Sequence, residues 1–181
     1  MTHALVVIDV QNEYIDGGLP IAHPPVEQSL ERITAVMDIA AANDVAIVLV
    51  RHTESDAEGG VFVRDSAGWQ LHDSVSSRPH DYLIDKELPG SFTGTDLQDW
   101  LLAREIDTIV IAGYMTHMCV DTTARQAAHL GMTAIVLSDA TGTIDLGEDL
   151  PAEVVHQVEL AVLGDGLATV MTSAQWVDSL A

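Results

Sequence analysis

Cysteines and long apolar runs are what this 181-residue sequence most lacks. No stretch approaches the roughly 20 consecutive apolar residues of a membrane-spanning helix, so we expect no membrane association. The first ten residues, MTHALVVIDV, enter a strand pattern without a basic start or a cleavage site, and we therefore expect no signal peptide. The one cysteine, Cys119, excludes an internal disulfide bond, which suits a reducing compartment. Together these absences predict a cytoplasmic protein.

Basic residues are also scarce, since 7 lysines and arginines stand against 28 aspartates and glutamates, a formal net charge of −21. Such a chain repels a phosphate backbone, so we expect no nucleic-acid partner. A surface this acidic also repels itself, and at about 1 M salt the electrostatic screening length falls to roughly 3 Å. The hypothesis that follows is a halophilic source with a high-salt interior and an acidic proteome. Lys86 is the only lysine.

Strand and helix patterns alternate along the chain, and 48% hydrophobic residues exclude a disordered protein. Strands are predicted at residues 4–10, 45–50, 82–85, 109–112, 133–137 and 168–171, and helices at 26–42, 95–103, about 119–130, 151–163 and from 173. This alternation predicts a single α/β domain over residues 1–181, a three-layer Rossmann-like fold with a mostly parallel sheet and helices on both faces. We expect the strand order 3-2-1-4-5 at its centre. No GxGxxG or Walker motif is present, so a nucleotide cofactor is not expected.

The stretch 107–131, DTIVIAGYMTHMCVDTTARQAAHLG, organises the rest of the chain. Gly113 is expected to end a buried strand, a helix is expected to begin near Cys119, and Gly131 is expected to stop that helix. A cysteine at a helix N-terminus meets free N–H groups and a partial positive charge, which stabilise a thiolate and a nearby oxyanion. The alternative is that Cys119 is a small core residue.

Asp9 and Lys86 also follow predicted strands, and the carboxyl ends of parallel strands meet at one edge of a sheet. With Cys119 they form a set of groups suited to acyl transfer. The thiolate would attack a carbonyl carbon, Asp9 would move the protons, and the Lys86 ammonium would favour both ionised partners. Backbone N–H groups in the turn 114–119 would hold the oxyanion.

Two other interpretations of Cys119 compete with this one. His117 or His52 could act as the base in a Cys–His pair, or the cysteine could be a redox-sensing thiol in a non-catalytic binding protein. A sensor needs neither Asp9 nor Lys86, and the presence of both favours a hydrolase.

Four segments carry a resemblance to a known family: VVIDVQNEY (6–14), IDKELPGSF (84–92), GYMTHMCVDTTARQA (113–127) and SDA (138–140). In their order and spacing the sequence resembles the isochorismatase-like cysteine hydrolases, the nicotinamidase-related amidohydrolases. The resemblance implies a catalytic triad of Asp9, Lys86 and Cys119. It also implies a cis peptide bond between Tyr114 and Met115, with the N–H groups of Met115 and Cys119 as the oxyanion hole.

Two departures from the family pattern narrow the expected reaction. Nicotinamidases of the family carry an Asp-x-His and further histidines after the second strand, where they bind a metal. Here the segment reads RHTESDAEGG, with His52 alone, so we predict neither metal nor cofactor and do not expect nicotinamide as the substrate. Isochorismate hydrolases, which cleave a vinyl ether, generally lack the cysteine. Cys119 therefore favours cleavage of a C–N bond in a small amide, carbamoyl or imide compound through a thioester, with vinyl-ether hydrolysis as the alternative.

A mainly aromatic substrate pocket is expected around this site, formed by Tyr14, His52, Phe62, Trp69, Phe92 and Thr116. Tyr14, Trp69 and Thr116 occupy positions that match the family, whereas the others are chosen for proximity alone. Phe62 and Trp69 could instead anchor the long loop 54–80, which we expect to close over the crevice. The resemblance also implies a homo-oligomer, either a dimer or a tetramer.

Overall fold

A computed structural model describes residues 2–54 and 60–180 of the protein. Its strands are β1 (His3–Ile8), β2 (Ala46–His52), β3 (Tyr82–Lys86), β4 (Thr108–Tyr114), β5 (Thr133–Gly142) and β6 (Thr169–Met171). Its α-helices are α1 (Asn12–Ile15), α2 (Val26–Ala42), α3 (Asp73–Ser76), α4 (Leu97–Leu102), α5 (Asp121–His129), α6 (Ala152–Gly164) and α7 (Ser173–Asp178). A π-helical turn covers Thr116–Val120. None of the helices in the described part of the chain combines the length and the apolar character needed to cross a bilayer.

The six strands form one sheet in the order β3-β2-β1-β4-β5-β6, and every pair of neighbours is parallel. The predicted order 3-2-1-4-5 is therefore confirmed, with β6 added at the edge beside β5. Strand β1 lies at the centre, where Val7 is in register with Leu49 of β2 and with Ala112 of β4. Strands covered on both faces need apolar side chains throughout, which explains the near-continuous apolar runs in β1 and β4.

Helices cover both faces of the sheet, as the predicted fold class requires. On one face α2 packs Ile33, Val36 and Met37 against the odd-numbered core residues of β1, and Trp176 of α7 joins them. On the other face lie side chains from α4, α5 and α6, with Leu101, Ala124, Ala127 and Leu163 among them. The prediction of helix 26–42 agrees with α2 residue for residue.

Gly113 does not end β4, contrary to the sequence-based expectation. The strand continues through Tyr114, with Gly113 at φ +112°. A Cβ atom at this position would lie 2.0 Å from the carbonyl oxygen of Ile8 on the neighbouring strand. Glycine is needed here because β1 and β4 approach each other too closely for any side chain.

Three helix starts also differ from the predictions. The helix expected near Cys119 begins at Asp121, because the π-helical turn precedes it. The helix predicted from residue 95 begins at Leu97 with Asp96 at the cap position, and the Thr95 hydroxyl accepts from the Leu97 N–H at 3.4 Å. Pro151 is the cap of α6 rather than its first residue.

The end of α5 agrees with its prediction. Gly131 has φ +79° and follows the cap residue Leu130, as expected for the residue just beyond a helix. The loop predicted at 54–80 contains the short helix α3, and its residues 55–59 lie outside the described part of the chain.

Candidate active site

Three side chains from different strand ends meet at the carboxyl edge of the sheet. Asp9 follows β1, Lys86 is the last residue of β3, and Cys119 lies in the turn after β4. The Lys86 Nζ atom lies 2.8 Å from Asp9 Oδ2 and 3.3 Å from Cys119 Sγ. The three residues are 0%, 2% and 4% exposed for Asp9, Lys86 and Cys119. The sequence-based prediction that they share one crevice agrees with this geometry.

Backbone geometry fixes the two charged members of this trio. Asp9 adopts a left-handed conformation with φ +52°, which aspartate tolerates better than most residues, and this turns the chain out of β1. Its N–H still donates to the Val50 carbonyl of β2 at 2.9 Å. Lys86 is in register with His52, and its carbonyl accepts from the Thr53 N–H at 2.8 Å. Both side chains are therefore placed by the sheet itself.

Lys86 and Asp9 form an ion pair in the protein interior. Burial favours loss of the lysine proton, but the negative charge of Asp9 and the hydrogen bonds to Asp9 and Cys119 outweigh it and raise the pKa of Lys86. Apart from this pair, neither carboxylate oxygen of Asp9 has a hydrogen-bond partner among the described residues. Buried carboxylate oxygens are normally satisfied by several donors, so this carboxylate is open to a further donor.

The surroundings of Cys119 raise the pKa of its thiol. Burial raises its pKa well above the ordinary range, the negative charge of Asp9 raises it further, and the Lys86 ammonium lowers it only in part. The expectation that a helix N-terminus stabilises a thiolate here stays a prediction, and burial acts against it. Cys119 lies inside the π-helical turn, which precedes α5.

The backbone beside the thiol offers donors for an oxyanion. The peptide bond between Tyr114 and Met115 is cis. The Met115 carbonyl accepts from the N–H groups of Met118 at 3.0 Å and Val120 at 3.2 Å. The Met115 N–H has no hydrogen-bond acceptor among the described residues. The assignment of the Met115 and Cys119 N–H groups to an oxyanion hole stays a prediction, which this free donor favours.

Neither candidate histidine contacts the sulfur of Cys119 in the described part of the chain. His52 Nδ1 lies 3.4 Å from Lys86 Nζ, and His117 Nδ1 is hydrogen-bonded to the Thr143 hydroxyl. Burial lowers the pKa of both imidazoles. The geometry therefore favours Asp9 over a histidine as the proton acceptor of the thiol.

Two of the predicted pocket residues close one side of the trio together with His52. The rings of Tyr14 and Phe62 lie 4.9 Å apart, and those of His52 and Phe62 lie 5.5 Å apart. Burial and the negative charge of Asp9 raise the pKa of Tyr14, which keeps its hydroxyl neutral. Phe62 is only 4% exposed and packs against His52.

The contacts of the other predicted pocket residues lie elsewhere. The Trp69 indole donates to the Thr53 hydroxyl at 2.8 Å, and the Arg51 guanidinium lies 3.6 Å above its ring. These contacts favour an anchoring role for Trp69. Phe92 is half-buried beside α4 and α5, and the Thr116 hydroxyl is hydrogen-bonded to His156 rather than directed at the trio. Their roles in a pocket stay predictions.

Gln11 is a structural part of the site that the sequence analysis missed. Its fully buried amide donates to the carbonyls of His52 at 2.9 Å and Trp69 at 2.8 Å, and accepts from the His52 N–H at 2.9 Å. It therefore ties the end of β1 to β2 and to the segment that carries Trp69. The signal was its place two residues after Asp9, but its partners lie 41 and 58 positions away.

An open cavity of about 410 Å³ lies at the carboxyl end of β3. Lys86 is the one member of the trio that contributes to its wall, together with Arg64, Glu87, Leu88 and Thr93. Among the residues that the structure covers, no group of three or more His, Cys, Asp or Glu side chains could hold a metal ion. The chemistry available at the trio is therefore that of a thiol, a carboxylate and an ammonium.

Comparisons with known proteins agree with the motifs and the geometry. A family profile described as the Isochorismatase domain matches residues 3–175. The secreted isochorismatase effector Isc1 of Verticillium dahliae is 36% identical over 93% of this chain and 87% of its own. Streptothricin hydrolase of Streptomyces noursei is 29% identical, and the match covers 94% of this chain and 63% of that protein.

A solved structure shows the same fold. The crystal structure of a candidate isochorismatase from Burkholderia xenovorans is 42% identical and superposes with a TM-score of 0.95, covering 98% of this chain and 86% of that one. Both the extent of the family match and the buried strand-end trio support one conclusion: the chain belongs to the isochorismatase-like hydrolase family.

Proposed function

We propose that this protein is a cysteine-dependent hydrolase that cleaves a C–N bond of a small amide, carbamoyl or imide compound. The observation that carries the proposal is the placement of Lys86 Nζ 2.8 Å from a carboxylate and 3.3 Å from the thiol, with all three groups buried. Members of the family are hydrolases, and the streptothricin hydrolase of Streptomyces noursei is among the relatives. Cleavage of a C–N bond and the identity of the substrate are the parts that we propose.

The first half-reaction forms a thioester. As the Cys119 sulfur attacks the substrate carbonyl, Asp9 takes the thiol proton, since both groups lie within 3.3 Å of the same nitrogen. Transfer during the attack avoids a free thiolate, which the raised pKa of Cys119 disfavours. The N–H groups of Met115 and Cys119 hold the oxyanion. Asp9 then protonates the nitrogen, the C–N bond breaks, and ammonia or an amine leaves.

The second half-reaction returns the enzyme to its starting state. Asp9, again a carboxylate, takes a proton from a water molecule that attacks the thioester carbonyl. The C–S bond breaks, the sulfur recovers the proton from Asp9, and a carboxylic acid leaves. Each proton that Asp9 accepts is returned within the same half-reaction, so no metal or redox cofactor is required by this scheme.

Lys86 keeps its proton throughout this scheme. Its ammonium balances the negative charge that moves between Asp9 and the sulfur, and its raised pKa keeps it charged when that charge is on either partner. An arginine would spread the charge over a planar fork, whereas a compact ammonium can face both atoms at once. This role accounts for the use of lysine at one position in a chain that uses arginine elsewhere.

The substrate is expected to be small and partly apolar. The rings of Tyr14, Phe62 and His52 pack against one another, with His52 Nδ1 3.4 Å from Lys86 Nζ, and the cavity at the end of β3 measures about 410 Å³. Cavities of this size match small ligands. Nicotinamide is not our expectation, because the metal-binding histidines found in nicotinamidases have no counterpart after His52.

The decisive experiment is intact-mass measurement after brief exposure to a panel of small amides, carbamoyl compounds and imides in molar KCl. An acyl adduct that forms on the wild-type protein but not on Cys119→Ala would establish covalent catalysis and identify the acyl half of the substrate. Met118→Ala is not a suitable control because it changes the same turn, so Asp38→Asn, at an exposed side chain, serves instead. Absence of both adduct and released amine across the panel would contradict the proposal.

Vinyl-ether hydrolysis is the second candidate, because the relative from Verticillium dahliae is named an isochorismatase. That reaction needs an acid but no nucleophile. Isochorismate turnover that survives Cys119→Ala and is lost in Asp9→Asn would support it, whereas loss in both variants would favour the thioester route. A protein that turns over neither class would leave the non-catalytic interpretation of Cys119.

We also propose a cytoplasmic, homo-oligomeric protein, with a dimer or tetramer as the expected assembly. The free, buried thiol suits a reducing compartment. Sedimentation in molar KCl would measure the assembly, and a monomer at micromolar concentration would contradict that part of the proposal.

A further inference from the structure

The turn that carries Cys119 is fixed from its far side by a buried histidine. Thr116 is the first residue of the π-helical turn, and its hydroxyl oxygen lies 2.9 Å from Nδ1 of His156 on α6. Thr116 is 0% and His156 4% exposed, so water does not compete for this hydrogen bond. A π-helical turn is an uncommon geometry that often marks a functional site, which makes its external support informative.

The direction of this hydrogen bond follows from its neighbour. His156 Nε2 lies 3.0 Å from the carbonyl oxygen of Ser138, which can only accept, so Nε2 carries the proton. In the neutral imidazole Nδ1 then accepts, and the Thr116 hydroxyl donates. Burial lowers the pKa of His156, and the facing His23 ring at 5.4 Å lowers it further. The hydrogen bonds between Thr116 and His156 and between His156 and Ser138 therefore connect the turn to β5 through α6.

These hydrogen bonds affect both the proposed oxyanion donor, the Met115 N–H, and the proposed nucleophile, Cys119. Thr116 directly follows Met115, whose N–H has no acceptor among the described residues and whose carbonyl accepts from Met118 and Val120. The same turn ends one residue after Cys119. Fixing Thr116 thus fixes the Met115 N–H relative to the Cys119 sulfur.

We propose that His156 is a positioning residue, which through Thr116 holds the oxyanion donor and the nucleophile in the relative arrangement that acyl transfer needs. The inference rests on the proposed function, because it explains how the proposed nucleophile is placed. It also changes the role of Thr116, which acts through the turn rather than by contact with the substrate.

Two substitutions test the pair. Thr116→Val keeps the shape and removes the hydroxyl, whereas His156→Gln keeps a donor for the Ser138 carbonyl and removes Nδ1. With an amide that the adduct screen identifies, each is expected to lower kcat about 10- to 100-fold, since small displacements of reacting groups have effects of this size. KM should stay within about twofold, because neither side chain contacts the substrate. The double variant should be no slower than the slower single variant, since both remove one interaction.

Conservative and matched variants separate positioning from folding. Thr116→Ser keeps the hydroxyl and should restore kcat to within about threefold of the wild type. His129→Gln makes the same substitution as His156→Gln at an exposed position and should leave kcat unchanged. Urea unfolding of every variant gives its folded fraction under the assay conditions.

Several results would overturn the inference. A raised KM at unchanged kcat would mean that Thr116 contacts the substrate. Losses that multiply in the double variant would show that the two side chains act independently, and a kcat loss equal to the unfolded fraction would reduce the role to stability. If the wild type turns over no amide, the proposed function fails, and the iodoacetamide rate of Cys119 then tests the pair. Equal changes of the iodoacetamide rate in Thr116→Val and His156→Gln, with the wild-type rate in Thr116→Ser, would support the positioning role of His156. Unchanged iodoacetamide rates in Thr116→Val and His156→Gln would refute that role.

Discussion

The Asp9–Lys86 and Asp38–Arg78 ion pairs have the same length but lie in opposite surroundings. Asp9 and Lys86 lie 2.8 Å apart with neither side chain exposed, whereas Asp38 and Arg78 lie 2.8 Å apart with side chains 59% and 28% exposed. Water can replace the partner of each charge in the exposed pair, so this pair contributes little to the free energy of unfolding. The buried pair has lost its hydration, so each charge depends on the other, and removal of either partner is costly. Equal distances therefore carry different consequences, and only the buried pair can perform chemistry with a dehydrated group.

Asp9→Asn should produce the largest effect. An amide cannot accept the thiol proton, so kcat for the amide substrate is expected to fall about 10²- to 10⁴-fold, the usual contribution of a general acid–base residue. Asp38→Asn makes the same substitution in the exposed pair and should leave kcat unchanged. Steady-state kinetics on both variants measures the difference, and similar kcat values for Asp9→Asn and the wild type would refute the proton-transfer role.

Lys86→Met should have the second largest effect, on the free energy of unfolding. The variant leaves the Asp9 carboxylate buried without its counter-charge, which is expected to cost roughly 3–5 kcal/mol. Arg78→Met leaves an exposed Asp38 and should cost about 1 kcal/mol or less. Urea unfolding at pH 7 measures both.

A double variant sharpens this result. Asp9→Asn combined with Lys86→Met removes both charges and should recover part of the stability that Lys86→Met loses, because no unpaired charge remains buried. Additive losses in the double variant would show that the two side chains do not stabilise each other.

The rate of Cys119 alkylation should change less than kcat does. In Asp9→Asn it should also change in the opposite direction to kcat. The pKa of the buried thiol is raised, so the iodoacetamide rate should keep increasing with pH above the ordinary thiol pKa of about 8.5. Asp9→Asn removes a negative charge that raises this pKa, and alkylation at pH 8 should therefore become faster although turnover is lost. Lys86→Met removes the charge that lowers the pKa and should slow alkylation. A rate that levels off below pH 7 in the wild type would contradict a protonated resting thiol.

Thermal melting in KCl tests the exposed charges as a group. A net charge of −21 repels itself at low ionic strength, so the Tm should rise between about 0.05 M and 2 M KCl as screening increases. The Tm difference between Lys86→Met and the wild type should persist at high salt, because buried charges are screened less. Equal wild-type Tm values at both concentrations would contradict the high-salt hypothesis.

The sheet could be predicted from the sequence because its signal is local. Buried parallel strands require unbroken apolar segments, and those of β1 and β4 are visible in the sequence as ALVVIDV and IVIA. Asp9 follows β1, Lys86 ends the half-buried strand β3 and Cys119 lies after β4, and the parallel topology then brings them to one edge. Their meeting needed no knowledge of long-range contacts.

The parts that were missed depend on distant partners. Gln11 is bonded to residues 41 and 58 positions away, and Thr116 to a histidine 40 positions away. Single polar residues carry no periodicity that would reveal such pairs. The raised pKa of the Cys119 thiol could not be predicted for a related reason, since a helix start is a local pattern whereas burial of Cys119 depends on how the whole domain packs.

Because the single lysine is buried, cleavage after it can be used to detect local opening of the fold at the end of β3. A peptidase that cleaves only after lysine has one possible cut, between Lys86 and Glu87, which would divide the chain into residues 1–86 and 87–181. Lys86 is 2% exposed, so the folded protein should resist this peptidase. Cleavage therefore requires the end of β3 to leave the sheet. The rate at which the two fragments appear on a gel measures how long this edge of the sheet, which carries the catalytic residues, stays intact.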